Sequence, residues 1–325
     1  MSADIRNPRA EAQAMMPPGH EARVLEPSPP ASHDGEFADD PTDRGNVAPG
    51  TTVVSPVASG DRTWVEFTDK QPHLQEWARQ RWLGPWPRLA PLPAEFVQTR
   101  DALHQLAYFV LAPARHRANT KIGLRPTMGG LGTPFFGDDM QVRIDGLDLV
   151  VQDRDSAKRS RLTTIAAACE AVGITYRPDW FPRFRDPLSP MDPDEPLMLA
   201  ASATMAAAAL FGFGTWILEE LRATAPVRDQ PSRVQLWPEH FDLAVDLGNP
   251  EAGGRASIGL SLGDAHHLEP YLYVSAWGEI DRSNPIWNDP NFNGASLAYS
   301  QFVESDDQRE AALTFYRRVK LELDG

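Results

Sequence analysis

Between Leu236 and Trp277 the chain reads LWPEHFDLAVDL, a turn-rich gap, a plain strand, and then GDAHHLEPYLYVSAW. Three of the eight histidines, His240, His266 and His267, fall in this stretch, beside Glu239, Asp242, Asp264 and Glu269. These are side chains that accept and give protons near neutral pH or ligate metals. His240 and Asp242 are two residues apart, a spacing that puts both on one side of an extended strand. Tyr271 and Tyr273 repeat that spacing on a second strand. A histidine, a carboxylate and two phenols on one surface suit the orientation of a polar ligand or the transfer of a proton. A second grouping, His240, His267 and Glu269, has the composition of a two-histidine, one-carboxylate site for zinc or iron. Neighbouring His266 and His267 point to opposite sides of an extended chain, so only His267 shares a side with Glu269. HEXXH and HXH are absent. Without a metal, Asp264 and His266 read as turn and strand-edge hydrogen bonders.

These residues need strands to hold them, and the alternation of apolar positions supplies candidates. Ile122 and Leu124; Met140, Val142 and Ile144; Leu147, Leu149 and Val151 alternate in the first half. Phe241, Leu243, Val245 and Leu247; Ile258, Leu260 and Leu262; Leu272, Val274 and Ala276 alternate in the second. Period-two alternation means one sheet face packs on a core and the other meets solvent or a ligand. The short connection at Gly146 requires antiparallel neighbours. The uncovered phase carries Lys121, Arg125, Gln141, Arg143 and Asp145 in the first half. In the second it carries His240, Asp242, Asp246, Ser257, Ser261, Tyr271 and Tyr273. Arg125 and Arg143 therefore join His240, Asp242, Tyr271 and Tyr273 as candidate ligand-binding residues.

Helical spacing over Phe96–Ala112 ends at Pro113, and a second helix runs from about Arg161 to Val172 with Gly173 after it. A Pro-rich connector leads to an apolar helix at 197–222 and a closing helix at Asp306–Leu323. The order helix, three strands, helix thus occurs twice. It predicts an α+β two-layer sandwich whose mainly antiparallel sheet comes from two pseudo-repeated halves, 96–175 and 195–325, with helices on one face. Residues 1–60, rich in Pro and acid and poor in aromatics, read as a disordered tail. Residues 61–95 hold a tryptophan-rich arm ahead of the domain at 96–325.

Composition excludes several functions. A net charge of −14 over 325 residues argues against binding nucleic acid or anionic lipid, both of which need clustered Lys and Arg. One cysteine, Cys169, rules out an intrachain disulfide framework and a multi-thiolate zinc site, and in IAAACEA it reads as an inert buried thiol. The opening MSADIRNPRAEAQ lacks the apolar core of a signal peptide, so a cytoplasmic location is expected. Leu197–Leu218 is uncharged and long enough to span a bilayer, yet both flanks are acidic, and a buried central helix is the expected reading. Thr127–Asp139 is Gly-rich but joins strands and does not open a helix, so it is a hairpin loop and no phosphate cradle. GLSLG at 259–263 lacks the strand-to-helix turn of a nucleophile elbow.

The segments LWPEHFDLAVDL, IGLSLGDAHHLEPYLYVSAW and KIGLRPTMGGLGTPFFGDDMQVRIDG resemble a group of uncharacterised bacterial proteins typical of actinobacteria, described only as a domain of unknown function. That resemblance covers about 96–323 and implies no activity, only a recurring domain. The reading from the residues is a binding protein that takes a small polar ligand or a protein partner on an open sheet face, with an exposed sheet edge available for a homodimer. The alternative is a metal-assisted hydrolase or lyase with His240, His267 and Glu269 as ligands and Asp242 or Tyr273 in proton transfer.

Overall fold

Two antiparallel five-stranded sheets carry this computed structural model. It describes residues 88–127, 130–134, 140–152, 157–181, 188–232, 234–249 and 253–323, with the short pairs Ala58–Ser59 and Arg62–Thr63. The acidic tail, the tryptophans of the arm and most of the loop before Met140 lie outside the described residues. The first sheet is a meander of β1 (Arg125–Thr127), β2 (Gly130–Gly132), β3 (Gln141–Asp145), β4 (Asp148–Gln152) and β5 (Ala157–Arg161). The second is a meander of β6 (Gln235–Trp237), β7 (Asp242–Leu247), β8 (Ala256–Ser261), β9 (Tyr271–Ala276) and β10 (Gly294–Ala298). Each half therefore holds five strands and not the expected three. The added ones are three residues long in β2 and β6, small-residue in β10 and charged in β5, where AKRSR was expected to end at a helix start. The sheets meet through one antiparallel bridge, where the Leu124 and Leu236 backbones exchange hydrogen bonds of 2.8 and 3.0 Å. The outer edge β5 exposes Lys158, Arg159 and Arg161, charges that discourage pairing with another sheet.

The first helix does not stop at Pro113. α1 (Phe96–Leu106) passes through a π-helical stretch, Ala107–Leu111, into α2 (Ala112–Asn119). A proline has no N–H and its ring crowds the carbonyl four residues back. The widened turn absorbs both: the Ala112 N–H reaches Ala107 O, five residues back, and the Phe109 carbonyl accepts a contact from the Cys169 thiol at 3.7 Å. Cys169 lies buried on α3 (Ile165–Val172), and burial pushes its thiol up to about 11. It is protonated at neutral pH and nucleophilically quiet. Thr164 caps α3, its hydroxyl accepting from Ala167 N at 3.1 Å, a contact typically worth about 1 kcal/mol.

The apolar helix is α4 (Ala201–Thr224). Its length and apolarity would also suit a bilayer. It packs against β1 and β2 of the first sheet and β7 and β8 of the second. Gly214 marks its closest approach: an added Cβ would lie 3.1 Å from Leu243 Cδ1 and 3.4 Å from Leu260 Cβ. Small residues bring this helix onto the strands. The closing pair, α5 (Tyr299–Phe302) and α6 (Gln308–Leu323), adds Tyr316, whose hydroxyl donates to the Gly259 carbonyl at 2.8 Å. The end of the arm is pinned to α6, with Leu89 N donating to Gln308 Oε1 at 2.8 Å and Gln308 Nε2 to Leu89 O at 3.0 Å.

Leu243, Val245, Leu247, Ile258, Leu260, Leu272 and Val274 are buried together in the core, as their alternation predicts. The opposite face of the second sheet is not left open, however. α1 and the loop after β8 wall it into a cleft, so that Asp242 and Ala244 on that face are buried as well.

Candidate functional site

The strand registers lay out the floor of the cleft. Trp237, Asp242, Ser261 and Tyr271 form one row across β6–β9. Ala244, Gly259, Tyr273 and Ser296 form the next, and Asp246, Ser257, Ser275 and Gly294 the third. Residues paired across antiparallel strands point to the same side, so three rows of small and polar side chains line a cleft of about 740 Å³. That volume lies in the range of small-molecule sites. Arg100, Asp101 and His104 of α1 form one wall; Gly263, Asp264, Leu188, Trp277 and Phe292 complete the rim.

Gly259 makes the centre of the floor possible. A Cβ there would lie 2.6 Å from Cε1 and Cζ of Tyr273 and 2.4 Å from Leu243 O. The Tyr273 ring therefore lies over the glycine and reaches diagonally to Asp242, whose Oδ2 accepts its hydroxyl hydrogen bond. Asp242 is only 5% exposed, and its Oδ1 has no hydrogen-bond partner among the described residues. Burial pushes its carboxyl above the usual range, against the opposing pull of His240 and the Tyr273 hydrogen bond. Glu239 Oε2 is also buried without a partner, and burial, with the Asp242 charge adding to it, raises Glu239 too. Tyr273 is raised well above 10 by burial and by the neighbouring Asp242.

The rim holds a second carboxylate of opposite character. Gly263 turns the chain with φ +102° where a side chain would strike Arg100 and the carbonyls of His267 and Glu269. Asp264 then closes a tight turn, its Oδ1 accepting from His266 N at 2.7 Å and His267 N at 2.8 Å, and its Oδ2 from the Tyr271 hydroxyl at 2.7 Å. Burial works to raise this carboxyl, but the Tyr271 and backbone donors outweigh it and hold it below the usual range. Tyr271 is pushed up by burial and by Asp264. The His267 ring stacks on Tyr271 at 4.1 Å, with Nδ1 3.3 Å from Asp264 Oδ1 and Nε2 2.8 Å from Asp289 Oδ2.

The turn entering β7 is strained. Phe241 takes φ +52°, a left-handed conformation costing a bulky residue roughly 1–3 kcal/mol. In return its ring is buried between His104, stacked at 5.1 Å, and Phe211, edge-on at 5.4 Å. His104 Nε2–H donates to Pro238 O at 2.9 Å, and burial lowers its imidazole to about 4. Arg100 ties the other end of the wall, its guanidinium 2.7 Å from Asp101 Oδ1 and 3.5 Å from Leu268 O.

Of the residues expected from sequence, His240, Asp242, Tyr271 and Tyr273 do share this cleft, as do Asp246, Ser257 and Ser261. His240 arrives differently: it is exposed in the turn Pro238–Phe241 and not on the strand. Arg125 and Arg143 do not join them. They sit in one row of the first sheet, Arg125–Gly132–Arg143, both buried, with Arg143 Nη1 3.3 Å from Asp145 Oδ2. The grouping His240, His267 and Glu269 is not assembled either. Glu269 accepts from Ser300 N and Oγ at 2.9 and 2.8 Å, while both His267 nitrogens face aspartates. Among the described residues no three His, Cys, Asp or Glu side chains are grouped to hold a metal. Sequence reasoning missed Arg100, Asp101 and His104, although they visibly interrupt the apolar stripe of α1. It also missed Asp289, which lies in an Asn/Pro-rich loop without local signal.

The chain matches no protein-family model, no curated protein and no solved structure.

Proposed function

We propose that this chain is a binding protein whose cleft, floored by β7–β9 and walled by α1, captures a small polar ligand. The observation that carries this reading is Asp242: a buried carboxyl lining the cleft, held by the Tyr273 phenol, with its other oxygen unmatched among the described residues. Burying a polar atom without a partner costs about 1–3 kcal/mol, and a fold keeps such an atom where something else satisfies it. The aromatic rim of Trp237, Trp277 and Phe292 offers flat apolar surface beside the polar floor, the mixture typical of small-molecule sites.

Native mass spectrometry of the purified chain tests this. A small molecule should be retained by the wild type and lost from Asp242→Ala/Tyr271→Phe, whose unfolding remains cooperative. Retention of the same molecule by the double variant would refute the cleft as the site.

A proton-transfer enzyme is the second reading, favoured by one observation. Asp242 and Asp264 have proton affinities displaced in opposite directions within one cleft, an arrangement suited to an acid and a base. Turnover in a panel of chromogenic glycosides and esters should then fall at least about 100-fold in Asp242→Asn. Turnover left intact in that variant rejects the reading.

A further inference from the structure

We propose that the ligand of this cleft is an organic cation, an ammonium, amidinium or guanidinium group carried on a flat apolar body, and that its binding expels a proton from the floor. The inference rests on the cleft being the binding site and adds the class of ligand.

The geometry begins with two acceptors that lack donors, Asp242 Oδ1 and Glu239 Oε2. Both belong to the segment entering β7, and the Asp242 charge adds to the burial that raises Glu239. Among the described residues no cationic side chain bonds either oxygen, and the one positive influence on both carboxyls is His240. Its own segment brings Glu239, the imidazole of His240 and, further along the strand, Asp246; β9 brings only the phenols of Tyr271 and Tyr273. Across the cleft, Arg100 is committed to Asp101 and to the Leu268 carbonyl, and the half-buried His104 imidazole is neutral above about pH 4. Asp264, at the rim, is acidic again. Among the described residues, carboxylates therefore outnumber cations around these two oxygens.

An empty cleft of this kind balances its charge by keeping protons on the buried acids, which is the direction burial drives both Asp242 and Glu239. A ligand cation removes the need. The carboxylic O–H of Asp242 ionises, its proton leaves to solvent, and the carboxylate oxygen accepts a charge-assisted N–H bond from the ligand. Trp237 and the tyrosines of the floor then face a positively charged, flat group, which aromatic faces attract, while the Trp277 ring already carries the Arg255 guanidinium at 5.1 Å. A neutral polyol would hydrogen-bond to the protonated acids and release nothing, so the two classes of ligand differ in a measurable way.

Calorimetric titration of the full chain with benzamidine hydrochloride, benzamide and methyl glucoside, each in phosphate and in Tris, reads that difference. Benzamidinium should bind at least about tenfold more tightly than benzamide. Its apparent enthalpy should change between buffers by the amount a released proton requires, and its affinity should rise with pH. Asp242→Asn, which mimics the protonated acid and keeps an oxygen for Tyr273, should lose the cation preference and the proton release while folding normally. If benzamide or the glucoside binds as well as benzamidinium, or benzamidinium releases no proton, the cation inference fails and the cleft survives as a neutral-ligand site. If none of the three binds, both readings fall together.

Discussion

Gly259→Ala should lower the unfolding free energy by about 1–3 kcal/mol and empty the cleft of its ligand. One methyl group is a small change, but at this position it has nowhere to go: Tyr273 carbons stand 2.6 Å away on one side and the Leu243 carbonyl 2.4 Å away on another. Backbone in the middle of a sheet yields little, so the ring must swing off the glycine. Once it does, Asp242 loses the Tyr273 hydroxyl, the one side-chain donor that reaches it, and an already unfavourable burial becomes worse. The check is urea unfolding of the variant beside the wild type, together with native mass spectrometry for retained ligand. An unchanged midpoint with ligand still bound would show that Tyr273 does not depend on the glycine. Tyr273→Phe makes a useful comparison, since it removes the same hydrogen bond without the collision and should cost less.

The polar floor of the second sheet was legible because its strands are long enough for alternation to speak. Leu243, Val245, Ile258, Leu260, Leu272 and Val274 face α4 and α6, and the residues between them line the cleft. Three-residue strands such as GLG and QLW are too short to show a period, and AKRSR and GASLA lack apolar alternation, so two of the five strands in each meander escaped notice. The path of the chain at Phe241 was hidden too. Nothing local announces a left-handed phenylalanine; what holds it is a stack between His104 and Phe211, more than a hundred residues back and thirty residues back respectively. The same limit explains the unassembled metal grouping. Alternation placed His267 and Glu269 on one side of a straight strand, whereas Gly263 and the Asp264 turn bend that segment before β9 begins. The apparent helix stop at Pro113 failed for a different reason. A π turn can carry a proline when a distant thiol is at hand for the displaced carbonyl, and that thiol lies on another helix.

Acid should expose the second large effect, at His104. In the unfolded chain its imidazole titrates near 6.5, and in the folded chain burial lowers it to about 4. The unfolded state therefore takes up the proton first as pH drops. The contribution to stability is complete above 6.5 and is lost progressively toward 4, amounting to roughly 2.5 kcal/mol by pH 4.5. Asp242 and Glu239 act in the opposite sense, because raised carboxyls bind protons in the folded state first and add stability on acidification. The sum over all groups is thus a poor readout, and the comparison must be with His104→Gln. Glutamine keeps an N–H for the Pro238 carbonyl and cannot become charged. Unfolding in urea at pH 7 and pH 4.5 should show the variant gaining roughly 2.5 kcal/mol on the wild type over that interval. A gap that stays constant with pH would mean His104 is solvated enough to protonate freely.

One helix, α4, serves as the apolar backing of strands in both meanders, which also meet at the Leu124–Leu236 backbone bridge. Neither meander has a private interior. Splitting the chain in the Pro-rich connector would leave the first meander with α3 against β4 but without α4 over β1 and β2, and the second with a greasy helix half uncovered. The shared helix predicts that the two sheets unfold in one cooperative transition and gain or lose stability together.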